Sequence, residues 1–207
     1  MSDFVRDRRR LVDRLRVEGI QDLAVLHAFD AVPRHLFVPP EVQHHAYDLA
    51  PLPIGHGQTI SSPIIHAMSV ELAELTGGER VLEVGTGSGF QTALLAELGV
   101  EVYSIERLPL LADRARSVLD ELGIEAHLRV GDGSEGWPEA APFDAIIVGA
   151  AAARVPGALL AQLADGGRLI VPVGERHQAL YRIRRNGDEY ARERITGARF
   201  VPLIERQ

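Results

Sequence analysis

Residues 81–90 read Val-Leu-Glu-Val-Gly-Thr-Gly-Ser-Gly-Phe, and this stretch decides the fold. Val81–Val84 is a short apolar run, three glycines at alternate positions follow, and an apolar-rich stretch then runs to Leu98. The pattern predicts a buried strand, a tight turn and a helix. Glycine permits sharp turning and close approach of a ligand to the backbone, and a helix start offers free N–H groups. A tight turn with no ligand is the plain alternative.

The chain downstream repeats the theme. Strands are expected at Glu101–Ile105, Ala126–Val130, Ala145–Val148 and Arg168–Val173, with helices at Leu110–Leu122 and Val155–Leu163 between them. Continuous apolar strands alternating with helices indicate a parallel sheet covered on both faces. Ala179–Arg184 and Tyr190–Ile195 alternate instead, and Asn186-Gly187 between them signals a hairpin. The expected fold class is α/β, a doubly wound, mostly parallel Rossmann-like sheet with an antiparallel C-terminal edge. Upstream, Leu11, Leu15, Ile20, Leu23 and His27 follow a helical period. Residues 31–63 hold Pro33, Pro39, Pro40, Pro51, Pro53 and Pro63, which forbid long helices. A helix is expected over Ile64–Leu75, with Ser62 as its cap, Pro63 in its first turn and Gly77-Gly78 ending it. The organisation expected is an N-terminal helical and loop extension, 1–76, before a core, 77–207.

Composition narrows the function. The chain has 207 residues, 46% hydrophobic and 25% charged, the mix of a globular protein. No stretch approaches the roughly 20 apolar residues of a membrane helix. The first residues are basic without an apolar run, so a signal peptide is not expected. A net charge of −7 argues against a general grip on nucleic acid. No cysteine is present, which removes disulfides, thiolate metal sites and cysteine nucleophiles and is compatible with a cytoplasmic location. All 22 basic residues are arginine, a compositional bias. Eight histidines occur, but His44 and His45 are adjacent and no H-E-x-x-H pattern exists, so no metal site is expected.

The loop spacing limits the ligand. A dinucleotide fingerprint needs G-x-G-x-x-G, whereas here the third glycine comes one residue early. Glu83, just before the loop, suits a cationic ligand better than a phosphate. Glu106 ends the second strand, about 20 residues beyond the first glycine, where a carboxylate accepts hydrogen bonds from ribose hydroxyls. Asp132-Gly133 follows the third strand, where an acid accepts from an adenine amino group; an Asp-Gly turn is the alternative. All three lie at carboxyl ends of parallel strands, where such sheets bind ligands. Together they imply an adenosine-type ligand without a phosphate site.

The glycine motif with its strand-end acid resembles the S-adenosylmethionine-dependent methyltransferases of the Rossmann-like class. More narrowly, VPRHLFVP (32–39), LPIGHGQTISSP (52–63), VGDGSEGWPEAAPFDAIIVGAAAARVP (130–156), GGRLIVPVG (166–174) and RFVPL (199–203) resemble the protein-L-isoaspartate O-methyltransferase family. The resemblance implies methyl transfer to the carboxylate of isoaspartyl residues in damaged proteins, initiating their repair, with S-adenosyl-L-homocysteine as the product of the cofactor. It implies that Ser61, in the QTIS substrate loop of the N-terminal extension, is the catalytic-site serine. It also implies that Gly85, Gly87, Glu106, Asp132 and Gly133 touch the cofactor. Thr59, Glu83, Thr86, Gly89 and Arg107, on the same segments, complete the expected cofactor set. Damaged proteins or peptides are the expected partners, of a monomer bound to neither nucleic acid nor membrane.

Physical chemistry agrees with that chemistry. A carboxylate with a pKa near 4 is already a nucleophile at neutral pH, so no general base is required. A neutral hydroxyl suits the site, because a cation would favour a substrate charge that is lost in the transition state. Another methyltransferase of this fold, acting on a small molecule or on nucleic acid, is the main alternative. The Asp/Asn-Pro-Pro-aromatic motif of amino-methylating DNA enzymes is missing; Gly149-Ala150-Ala151-Ala152 stands there. A binding module that has lost turnover is the third reading.

Overall fold

The computed structural model describes residues 3–204, so the outermost residues of both expected units lie outside it. Two helices open the chain, α1 (Phe4–Val17) and α2 (Leu23–Ala31). Asp3 caps α1 and Asp22 caps α2, each accepting backbone N–H bonds in the first turn. The proline-rich segment makes 3-10 turns at Arg34–Phe37 and Pro40–His45, then a hairpin of β1 (Leu52–Gly55) and β2 (Gln58–Ile60). His56 and Gly57 turn that hairpin with φ of 53° and 71°, the two positive values a type I′ turn requires.

α3 (Pro63–Leu72) begins where proline at the first helical position predicts. Ser62 stands at its cap, but its side chain makes no capping bond. Its carbonyl accepts from Ile65 and His66 instead, and Pro63 has no N–H to satisfy.

The core alternates β3 (Arg80–Val84), α4 (Phe90–Glu97), β4 (Glu101–Glu106), α5 (Pro109–Glu121), β5 (His127–Val130), β6 (Phe143–Val148), α6 (Gly157–Ala161) and β7 (Leu163–Val173). β8 (Gln178–Asn186) and β9 (Glu189–Ala198) end it. The sheet order is β5-β4-β3-β6-β7-β8-β9, parallel through β7 and antiparallel beyond. The α/β, mostly parallel fold with an antiparallel edge is thus the one expected. α6 is shorter than its sequence pattern suggests, because Leu163 already pairs with Phe143 as strand. The hairpin turn lies one residue later than Asn186-Gly187, with Gly187 in its first central position at φ 60°. β9 forms one edge of the sheet, and its residues from Glu189 to Arg194 are exposed.

One apolar cluster runs from Leu11, Leu15, Phe29 and Phe37 through Val70 to Phe90, Leu94, Val102 and Ile170. The N-terminal helices therefore share their core with one face of the sheet. Phe143, Ile146, Leu159, Leu169 and Val171 fill the other face. Arg182 and Arg184 of β8 both bond the Glu74 carboxylate, fastening the sheet to the segment after α3.

The third loop glycine serves this packing. Gly89 starts α4 at φ 87°, and a Cβ there would meet Ala115 Cβ of α5 at 3.2 Å. Gly89→Ala is expected to lower stability by about 1–3 kcal/mol through crowding and left-handed strain, read by denaturant unfolding.

Candidate active site

The sheet reverses its winding between β3 and β6, and ligands bind at such switch points beyond the carboxyl ends of the strands. A cleft enclosing about 760 Å³, part of it open to solvent, lies there. Gly85 and Gly87 line it with φ of 95° and 55°, and Gly149 faces them from the end of β6. A Cβ on Gly149 would lie 3.4 Å from the carbonyl oxygens of Val84 and Gly85. A Cβ on Gly133 would collide with Val84 Cγ1. Ile105, Leu108 and Leu111 give the cleft an apolar wall, and Glu106 gives it an acid.

Glu106 is more heavily used than its sequence position suggests. One oxygen accepts from Gly87 N–H at 2.8 Å and the other from Leu108 N–H at 2.9 Å. A carboxylate has about four acceptor sites, so capacity for hydroxyl donors remains on each oxygen. The Gly87 bond ties the tip of β4 to the glycine loop, and the Leu108 bond shapes the chain entering α5.

A second, more polar recess of about 450 Å³ shares Thr59, Gly85, Gly87 and Gly149 with the cleft as common walls. Ser61, His66, Ser69, Glu83, Thr86, Ser88 and Gln91 supply its polar groups. Ser61 enters at the end of the β1–β2 hairpin, which seats Ile54 Cδ1 3.6 Å from where a Gly87 Cβ would stand.

Of the expected residues, Thr59, Gly85, Gly87, Glu106, Arg107 and Gly133 line the cleft. Ser61, Glu83 and Thr86 line the recess, with Thr59, Gly85 and Gly87 again. Gly89 and Asp132 line neither. Gly89 faces α5, and one oxygen of Asp132 accepts from both the N–H and the hydroxyl of Ser134, shaping the turn that presents Gly133. Arg107 donates to Ile204 O at 2.8 Å, so this guanidinium holds the C-terminal segment across the cleft mouth.

Several lining residues were not singled out from sequence. Val201–Ile204 roof the cleft, pinned by backbone bonds of Val201 and Leu203 to Ala151. Gly149 was visible only as part of the GAAA stretch. His66 is another: it is buried, and Phe90 packs edge-on against it with ring centroids 5.5 Å apart. Burial, and then the nearby Arg34 charge, lower its pKa well below the usual histidine value, so it is neutral at physiological pH.

Glu83 is only 1% exposed. Thr92 and Ser104 hydroxyls donate to one oxygen and the Gln91 amide to the other. Burial pushes its carboxyl up to about 7 despite those three donors.

The donor set suits a nucleoside carrying positive charge. Acid, apolar wall and polar recess are present, while among the described residues Arg107 is the one cationic side chain lining the two cavities. A glycine loop at the switch point of this sheet, with a strand-end acid and no phosphate cluster, defines the class of Rossmann-like methyltransferases.

The chain belongs to the protein-L-isoaspartate(D-aspartate) O-methyltransferase family, whose model matches residues 6–207. It is 54% identical over 203 residues to the protein-L-isoaspartate O-methyltransferase of Halorhodospira halophila, covering 97% of this chain and 92% of that one. The protein of the same name from Dictyoglomus thermophilum is 48% identical, with the same coverage. A solved protein-L-isoaspartate O-methyltransferase superposes with a TM-score of 0.86 at 29% identity, covering 94% of this chain and 65% of that one. A Plasmodium falciparum structure, described as a putative member of the family in complex with S-adenosyl-L-homocysteine, gives a TM-score of 0.85 at 28% identity, covering 95% and 98%.

The Glu83 environment makes stability depend on pH. Its folded pKa of about 7 exceeds the ordinary 4.5, so the folded state holds a proton that the unfolded chain gives up first. The associated stability is full below about pH 4.5 and is lost as pH rises to about 7. Relative to Glu83→Gln, the unchanged protein should lose on the order of 3 kcal/mol between pH 4.5 and 7 and nothing further above it. Parallel pH profiles of unfolding free energy for the two proteins would reject this.

Proposed function

We propose that this chain transfers a methyl group from S-adenosyl-L-methionine to the free carboxylate of L-isoaspartyl residues in damaged proteins and peptides, with S-adenosyl-L-homocysteine as by-product. The observation that carries the proposal is the junction of two cavities at one glycine loop: a cleft fitted to an adenosine group and a recess that holds Ser61. Membership of the family supports the substrate. When bound, S-adenosyl-L-methionine supplies an electrophilic methyl group on a sulfonium sulfur.

In this proposal Gly85, Gly87, Glu106, Arg107 and Gly133 receive the cofactor in the cleft. Thr59 does so at the wall shared with the recess, and Glu83 and Thr86 from within the recess. Asp132 and Gly89 act from behind, shaping the turn and seating α4. Ser61 donates its hydroxyl hydrogen to one substrate oxygen and leaves the other directed at the methyl group. No side chain removes a proton, because the substrate carboxylate is already ionised. Neutral His66 and the thrice-bonded Glu83 add no cation that would trap that charge. The transfer turns an anion and a cation into two neutral products, so catalysis rests on orientation and on excluded water.

Among the described residues no helix is long and apolar enough to cross a membrane. A monomer acting in the cytoplasm without nucleic acid completes the proposal, supported by the net charge of −7 and the lack of cysteine.

Incubation with labelled cofactor and an isoaspartyl peptide should yield a base-labile methyl ester, while the aspartyl twin stays unlabelled. Equal labelling of both, or a base-stable product, would sink the assignment. Ser61→Ala should slow turnover by on the order of 100-fold, the cost of about 1 Å of misplacement. Its cofactor affinity by calorimetry and its melting temperature should change little, and a wild-type rate would remove Ser61 from the reaction.

A further inference from the structure

Among the described residues Arg34 is the most deeply buried cation, at 1% exposure. It sits in the 3-10 turn after Pro33. Among the described residues no carboxylate lies within ion-pair reach of it. Its partners are two backbone carbonyls: Nε donates to Ala46 O at 2.8 Å and Nη2 to Ser61 O at 2.9 Å. Its guanidinium carbon stands 4.7 Å from the ring centroid of Phe90, the first residue after the glycine loop. A buried charge without a counter-ion is costly, and burial lowers the Arg34 pKa to about 9. The two carbonyl bonds and the Phe90 face are what offset that cost, and Nη1 has no hydrogen-bond partner among the described residues.

The three contacts meet where the reaction needs accuracy. One is the residue whose hydroxyl orients the substrate, one is the start of the helix that carries the cofactor loop, and one closes the second 3-10 turn of the proline-rich segment. The guanidinium is planar, with its donors in a rigid fork, so it sets the Ser61 backbone at a fixed distance from the Phe90 ring. A lysine ammonium is a point charge on a flexible stem and cannot hold both carbonyls in that plane.

We propose that Arg34 is a positioning residue for the methyl transfer, clamping the Ser61 carbonyl against Phe90 so that the serine hydroxyl and the cofactor loop keep one relative placement. The proposal rests on the isoaspartyl carboxylate as substrate, and labelling of the isoaspartyl peptide by the unchanged protein tests that foundation separately.

The test compares Arg34→Lys and Arg34→Met with the unchanged protein. Arg34→Met removes the buried charge and keeps most of the volume. In either folded variant kcat for isoaspartyl peptide should fall on the order of 10- to 100-fold. Calorimetric affinity for S-adenosyl-L-homocysteine should stay within about twofold, since Arg34 lines neither cavity. Methylguanidinium added to Arg34→Ala should recover part of the lost kcat, a response that a merely stabilising side chain would not give. A folded Lys or Met variant with wild-type kcat overturns the proposal. So does a loss of cofactor affinity equal to the loss of kcat, or failure of both variants to fold at 25 °C, because each makes the role of Arg34 structural.

Discussion

A carboxylate sealed from water holds the site together. Glu83 lies on β3, takes a hydroxyl from Ser104 on β4, and takes a hydroxyl and an amide from Thr92 and Gln91 on α4. The strand before the glycine loop, the helix after it and the neighbouring strand thus converge on one side chain. Thr86 in the loop joins the network through Ser104 at 2.6 Å. The loop's shape therefore does not depend on glycine alone. Glycine permits the path, and the buried acid selects it. Glu106 repeats the device one strand over, using backbone N–H groups of the loop and of the chain entering α5.

This arrangement explains what could be read from sequence. Strands β3, β4 and β6 were legible because a parallel sheet covered on both faces demands largely apolar runs, and turn glycines bound them. The glycine loop, Glu106 and Gly133 were legible because the switch point of such a sheet has a fixed place in chain order. Other features depend on partners far along the chain and leave no local trace. Gly89 reads as a ligand glycine until Ala115 is found against it. Ser62 reads as a capping side chain until its own carbonyl is found taking the bonds. The burial of Arg34 follows from Ala46, Ser61 and Phe90 meeting around it, and no spacing in the sequence announces that.

The two cavities divide the work by polarity. The cleft is walled by Ile105, Leu108 and Leu111 and roofed by the chain from Val201 to Ile204. The recess is walled by hydroxyls, an amide, an uncharged imidazole and the carboxyl of Glu83, which burial keeps partly protonated near neutral pH. Preformed neutral dipoles are cheap to bring beside a substrate anion and lose little when that anion becomes an ester. A site built from lysines would bind the anion and then resist its consumption.

The exposed edge at β9 bears on a different hazard. Proteins in need of repair present extended, partly unfolded segments, and a bare strand edge is a template on which such segments pair. The middle of β9 carries Arg192, Glu193 and Arg194, and Glu193 is gripped by Arg182 of the adjoining strand. Charges along an edge are a means by which sheets refuse further strands. The opposite edge, β5, is only four residues long. A catalyst with this sheet can meet aggregation-prone chains at its active site without becoming a nucleus for their aggregation.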